Sequence, residues 1–108
     1  MEAVNVWTQD NVTGRLARLF PEAMAMRIPV RMERGSGTTE LTTIEFGTTT
    51  EVIFRAVADL DFGESVRLRN RDGSLDMQVR VIATHWIDSE YAVAARFTSP
   101  VANWIIKA

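Results

Sequence analysis

The strongest constraint in this chain is a change of hydrophobic period near residue 24. From there Met24, Met26, Ile28, Val30 and Met32 alternate with Ala25, Arg27, Pro29 and Arg31. Successive strand side chains point to opposite faces, so a period of two marks a half-buried strand. The pattern returns with Leu75, Met77, Val79, Val81 and Ala83 facing one way and Asp76, Gln78 and Arg80 the other. It closes with Tyr91, Val93, Ala95 and Phe97 alternating with Ala92, Ala94 and Arg96. Turn-forming stretches at "GSG" (35–37), Gly47, "DLDFG", "NRDGS" and "DSE" separate strands predicted over 24–32, 38–46, 50–57, 64–69, 75–86 and 91–98. Six short strands at this spacing predict an all-β fold, a small antiparallel barrel or sandwich. Pro29 has no N–H to give a ladder, which places the first strand at an edge or gives it an irregular start.

Ahead of the strands, "NVTGRLARLFPE" sets Val12, Leu16, Leu19 and Phe20 at helical spacing, with Asn11 as N-cap and Pro21 as stop. Gly14 works against the helix, costing about 1 kcal/mol relative to alanine. The expectation is a short amphipathic helix that covers part of the main domain; docking to a partner is the functional alternative. The chain then divides into a helical extension, 1–22, and a β-barrel domain, 23–108. With 108 residues it can bury about two-thirds of its unfolded surface around a single core.

Composition excludes several functions. Without cysteine there is no disulfide and no thiolate metal site, and a cytoplasmic location is expected. No apolar run is long enough to insert in a membrane, and the acidic start "MEAVNVWTQD" is unlike a secretory signal. A formal charge of −2 argues against general nucleic-acid binding. His85, the single histidine, lacks a second ligand nearby in sequence, so no metal site is expected. Asp59, Asp61 and Glu64 in "DLDFGE" lack calcium-loop spacing. Ser65, Ser74 and Ser89 have no nucleophile context, so the chain is not expected to be an enzyme or to carry a cofactor. Arg67, Arg69 and Arg71 share one face of a strand: a solvated face, or a surface for phosphate or a partner. Ile82 and Trp86 fall on the polar face of theirs, and Trp104 lies in "NWII". Such residues pack beneath a terminal helix or serve a protein interface.

"MRIPVR" (26–31) poses the functional question. Arginine forks phosphates and carboxylates, and eleven of the twelve basic residues are arginine, although codon bias in the source genome is the preferred account of that excess. At about 3.3 Å per residue, Arg27 and Arg31 stand about 13 Å apart on one strand face. A single phosphate is not easily forked across that span. The ligand is long, the segment bends, or one arginine alone is functional.

"RIPV" opening the first strand, a second motif some twenty residues on, "FGESVRLRN", "LDMQVRVIATHW", "YAVAARF" and a closing "PVANW" resemble a PilZ domain over residues 23 to 104. The resemblance implies a bacterial six-stranded barrel that binds cyclic di-GMP. It also implies an Arg-x-x-x-Arg motif entering the first strand and an Asp/Asn-x-Ser-x-x-Gly motif after it. Read literally, Arg27 and Arg31 fill the first motif. Aligned on "RIPV", Arg27 is its second arginine and Ala23 stands where the first belongs. In the second motif Glu45, Gly47 and Thr50 replace Asp/Asn, Ser and Gly. Glutamate displaces the carboxylate by one methylene, Gly47 has no hydroxyl, and Thr50 is β-branched where glycine allows close approach. Thr48, Thr49 and Thr50 could supply hydroxyls instead, or simply enter a strand. The ligand-binding candidates are therefore Arg27, Arg31, Glu45, Gly47, Thr48 and Thr50. The departures predict weak or absent nucleotide binding, and the alternative is an adaptor of PilZ-like fold that binds a protein partner.

Overall fold

Pairing of the first and fourth strands closes the six strands into a barrel. A computed structural model describes residues 11–99. The strands are β1 (Met24–Arg34), β2 (Thr39–Gly47), β3 (Glu51–Arg55), β4 (Ser65–Arg69), β5 (Asp76–Ile87) and β6 (Glu90–Phe97), preceded by a helix, α1 (Val12–Ala17). All neighbours are antiparallel, in the order β1-β2-β3-β6-β5-β4, and β4 returns to β1. The barrel alternative is thus the one adopted. Expectations for Trp104 and for the two ends of the chain lie outside the described residues.

Closure corrects one reading of Pro29 and bears out the other. The first strand is not an edge. It does start irregularly, for its register against β2 shifts between Ala25 and Ile28. β4 pairs only with Arg31–Arg34, so Pro29 meets Thr43 of β2 on one side and needs no ladder donor on the other.

The alternating side chains form a closed interior. Met32, Ile44, Phe54, Leu68, Val79 and Val81 are essentially inaccessible to water. A second apolar cluster lies outside the barrel, where Val12 and Leu16 of α1 cover Ile53, Ala92 and Ala94. The two alanines are what let a helix approach the outer face of β6 so closely. Asn11 caps α1 as expected, its side chain accepting the Gly14 N–H at 2.7 Å.

Two details differ from the periodicity. The helix ends at Ala17, well before Pro21, because the Arg18 N–H turns back to Arg15 and Leu16 and tightens the last turn. Leu19 is thereby rotated off the apolar face and is 69% exposed, whereas Phe20 still packs against the outer cluster. In β5 the register shifts between Val81 and Ala83. One extra residue reverses every later side chain. Ala83 therefore leaves the barrel interior for the cluster beneath α1, which it shares with Ile82. Trp86, expected on the polar face, instead pairs with the core residue Tyr91, their rings 4.4 Å apart.

Packing of this kind makes the interior sensitive to truncation. Phe54→Ala should lower unfolding stability by about 3–5 kcal/mol in a urea titration. The exposed Leu41→Ala should change it by under about 0.5 kcal/mol.

Candidate functional site

The candidate residues fall on two irregular stretches of neighbouring strands. Opposite the shift in β1, the register of β2 against β3 also jumps, between Ile44 and Phe46. Glu45 occupies both irregular intervals, and Met26 and Arg27 lie across from it. The structure therefore brings Arg27 alongside Glu45. It does not bring Arg31 there. Arg31 sits in the regular ladder, with Leu41 on one side and Arg69 on the other. Both arginines are exposed, and neither guanidinium has an ion pair or hydrogen bond among the described residues.

Glu45 is engaged elsewhere. Its carboxylate accepts the hydroxyl of Thr13 in α1 at 2.5 Å, and Thr13 is fully buried. On the other side Arg55 Nε approaches to 3.1 Å, close enough for an ion pair but out of alignment for a hydrogen bond, so that its buried N–H lacks an acceptor. Arg55 Nη1 lies 3.5 Å from Glu90. A carboxylate held between helix and β3 has little freedom to read a base edge.

The turn from Gly47 to Glu51 is similarly closed. Gly47 is buried and pairs with Met24 on one side and Val52 on the other. The Thr48 hydroxyl accepts the N–H groups of Thr50 at 3.1 Å and Glu51 at 2.9 Å, and donates to the Glu51 carboxylate at 2.5 Å. Thr50 is exposed, and its carbonyl accepts the Phe97 N–H at 2.9 Å. Glu51 also receives Arg96 through Nε at 3.1 Å and Nη2 at 2.9 Å. Burial pushes the Glu51 carboxyl up, yet the hydrogen bonds from Thr48, Arg96 and Thr50 outweigh it and hold the group below the usual carboxylate range. Of the threonine run, then, Thr48 and Thr50 both act on Glu51, and they serve the protein's own turn.

Sequence reasoning missed Thr13, Arg55, Glu51 and Arg96. The Thr-x-x-Glu spacing of Thr48 and Glu51 was a usable signal, being the spacing at which a capping-box hydroxyl accepts the N–H three residues on, as Thr48 does from Glu51. Nothing in the sequence tied Thr13 to a residue 32 positions away.

A second feature was not anticipated. A groove of about 310 Å3 opens between β2, the segment after β3 and the β5–β6 hairpin, lined by Leu41, Val57, Trp86 and Tyr91 among others. Leu41, Val57 and Trp86 are 75%, 88% and 53% exposed. Its wall is fixed by side chains: Glu40 accepts the N–H groups of Val57 and Ala58 at 2.6 and 3.1 Å, and Thr42 donates to the Arg55 carbonyl at 2.6 Å. Among the described residues no cluster of His, Asp and Glu could hold a metal, and no helix is long and apolar enough to cross a membrane.

No family model matches the chain, and no curated protein matches it in sequence. Its structure is similar to that of the Bacillus subtilis inhibitor of motility, MotI/DgrA, with a TM-score of 0.61 at 11% sequence identity. The match covers 74% of this chain and 42% of that one, so the chain spans less than half of that protein's length. The likeness is one of fold, and it agrees with the six-stranded PilZ-like barrel expected from the sequence.

The closed turn has a measurable signature. Thr48→Val keeps the shape but leaves two N–H groups and a carboxylate short of a partner, and should cost about 1–3 kcal/mol in urea unfolding. A carboxyl with a lowered native pKa stabilises the fold above its unfolded pKa, and that contribution is lost as pH falls through the native value. Glu51→Gln should therefore flatten the acid limb of the stability–pH curve.

Proposed function

We propose that this chain is a non-catalytic signalling module of PilZ-like fold whose binding of cyclic di-GMP is weak or absent. The observation that carries this reading is that Glu45 and Thr48, the polar groups nearest the expected guanine site, already have partners within the protein. Opening such a site means breaking hydrogen bonds to charged or buried groups, at about 1–3 kcal/mol each, before any ligand contact is made. Two of these suffice to move a micromolar site towards the millimolar range. A ligand that did bind would have Arg27 beside it and Arg31 on a different part of the barrel wall.

The adaptor reading is favoured by a separate observation. Leu41, Val57 and Trp86 present apolar surface around one groove, and exposed aromatic and aliphatic side chains on a rigid rim suit a protein partner better than a nucleotide.

Titration calorimetry with cyclic di-GMP tests the proposal. The expected dissociation constant is about millimolar, and submicromolar binding by the unaltered chain would sink the weak-binding reading. For the residual binding, Arg27→Ala should cost about tenfold or more, the worth of a charge-assisted bond. Arg31→Ala should cost distinctly less; equal losses would favour the literal Arg-x-x-x-Arg motif instead.

A further inference from the structure

The two arginines of "MRIPVR" sit on different stretches of β1, Arg27 in the irregular start and Arg31 in the regular ladder, but closure of the barrel gives Arg31 a different arginine. Arg31 and Arg69 are direct cross-strand partners in the β1–β4 ladder. Their neighbours Met32 and Leu68 point into the core, so both arginines point outwards, and both are exposed. Directly opposed residues in an antiparallel pair have Cβ atoms about 4.5–5.5 Å apart, and like charges so placed repel each other.

Nearby acids offset that repulsion only in part: Glu33, two residues from Arg31 on the same outward face and opposite Arg67, lies on the diagonal from Arg69, and Asp76 attracts Arg69 without bonding it. Elsewhere on the barrel wall Arg34 pairs with Glu64, Arg55 with Glu45 and Glu90, Arg67 with Asp76, and Arg96 with Glu51. Arg31 and Arg69 have no ion pair or hydrogen bond to their guanidinium groups among the described residues. The acid facing Arg69 across β5 is Asp76. Both of its oxygens are taken by the fork of Arg67, at 2.8 and 2.7 Å. The side of Arg31 away from Arg69 is occupied by the exposed Leu41 rather than by a carboxylate.

We propose that Arg31 and Arg69 together form a site for a phosphoryl oxyanion on the outer face of β1 and β4. A tetrahedral anion seated between two adjacent guanidinium forks receives charge-assisted hydrogen bonds from both and removes their mutual repulsion. The site lies apart from the 45–51 turn and does not depend on cyclic di-GMP binding there.

The test follows the arginine Nε–Hε resonances of the whole 15N-labelled chain as inorganic phosphate replaces chloride at constant ionic strength. The Arg31 and Arg69 signals should move together with a single dissociation constant, while those of Arg27 and Arg80 stay near their starting positions. Arg31→Gln and Arg69→Gln should each weaken binding by about tenfold or more, and the double change should add little, because the pair acts as one site. Arg80→Gln, which removes another exposed arginine, should change it by less than about twofold. All three positions are exposed, so unchanged far-ultraviolet circular dichroism is expected of the variants. Repeating the titration with adenosine monophosphate separates a free ion from an esterified group: equal affinity assigns the free oxyanion, and tighter binding adds contacts beside Leu41. Uniform movement of all the arginine signals, or equal losses from Arg80→Gln and Arg31→Gln, would overturn the proposal.

Discussion

The whole architecture hangs on one short seam. Four residue pairs, Arg31–Arg34 against Arg69–Val66, join the first strand to the fourth and turn a sheet into a barrel. Without them both strands would present unpaired backbone to water, and Met32 and Leu68 would lose the enclosure that keeps them dry. The end of the seam is clamped by a fork in which Arg34 donates through Nε and Nη2 to the two oxygens of Glu64, at 2.7 and 2.9 Å. Glu64 is a junction in its own right. Its side chain also accepts the Asp61 N–H, and its carbonyl accepts that of Val81 on β5. The hydrogen bond from Arg34 outweighs the opposing effect of partial burial, so the carboxyl is held below its usual range and stays ionised. Gly63 completes the junction: at φ 85°, a conformation glycine adopts freely, it turns its N–H to the Val81 carbonyl at 2.8 Å.

Within that frame the bulges decide what each face carries. Period-two alternation placed the strands within a few residues of where they lie, because burying one face of every strand is a constraint written into each segment. A bulge is not so written. Adding one residue between Val81 and Ala83 costs the sequence no visible signal, yet it moves Ala83 outside and turns Trp86 towards Tyr91. The helix shows the same limit. Asn11 and the spacing of Val12 and Leu16 were sufficient to place it, but the early tightening at Arg18 that exposes Leu19 depends on what α1 rests upon.

The candidate site was legible residue by residue but not as a constellation. Departures at Glu45, Gly47 and Thr50 could be seen in the chain itself and already pointed to a worn guanine site. What could not be seen was that Thr13 and Arg55 take up the Glu45 carboxylate, since both contacts depend on how helix and barrel pack. The opposite holds for Thr48, whose bond to Glu51 is local and follows from spacing alone. Local chemistry is readable from sequence, and long-range capture of a side chain is not.

The same distinction explains where the charge of this protein ends up. Surface ion pairs contribute little stability, about 0–1 kcal/mol each, so the forks and bridges on the barrel wall matter less for holding it together than for fixing where charge remains. An acid that forks one arginine has fewer hydrogen bonds left to give its neighbours. Asp76 illustrates this: opposite Arg69 in register, it is taken by Arg67 on the adjacent diagonal. A chain of net charge −2 can therefore still carry a row on which two arginines face each other across a seam, with Glu33 only on the diagonal and Asp76 forked by Arg67. Because that seam is also what closes the barrel, the two arginines are carried on paired strand backbone rather than on a turn.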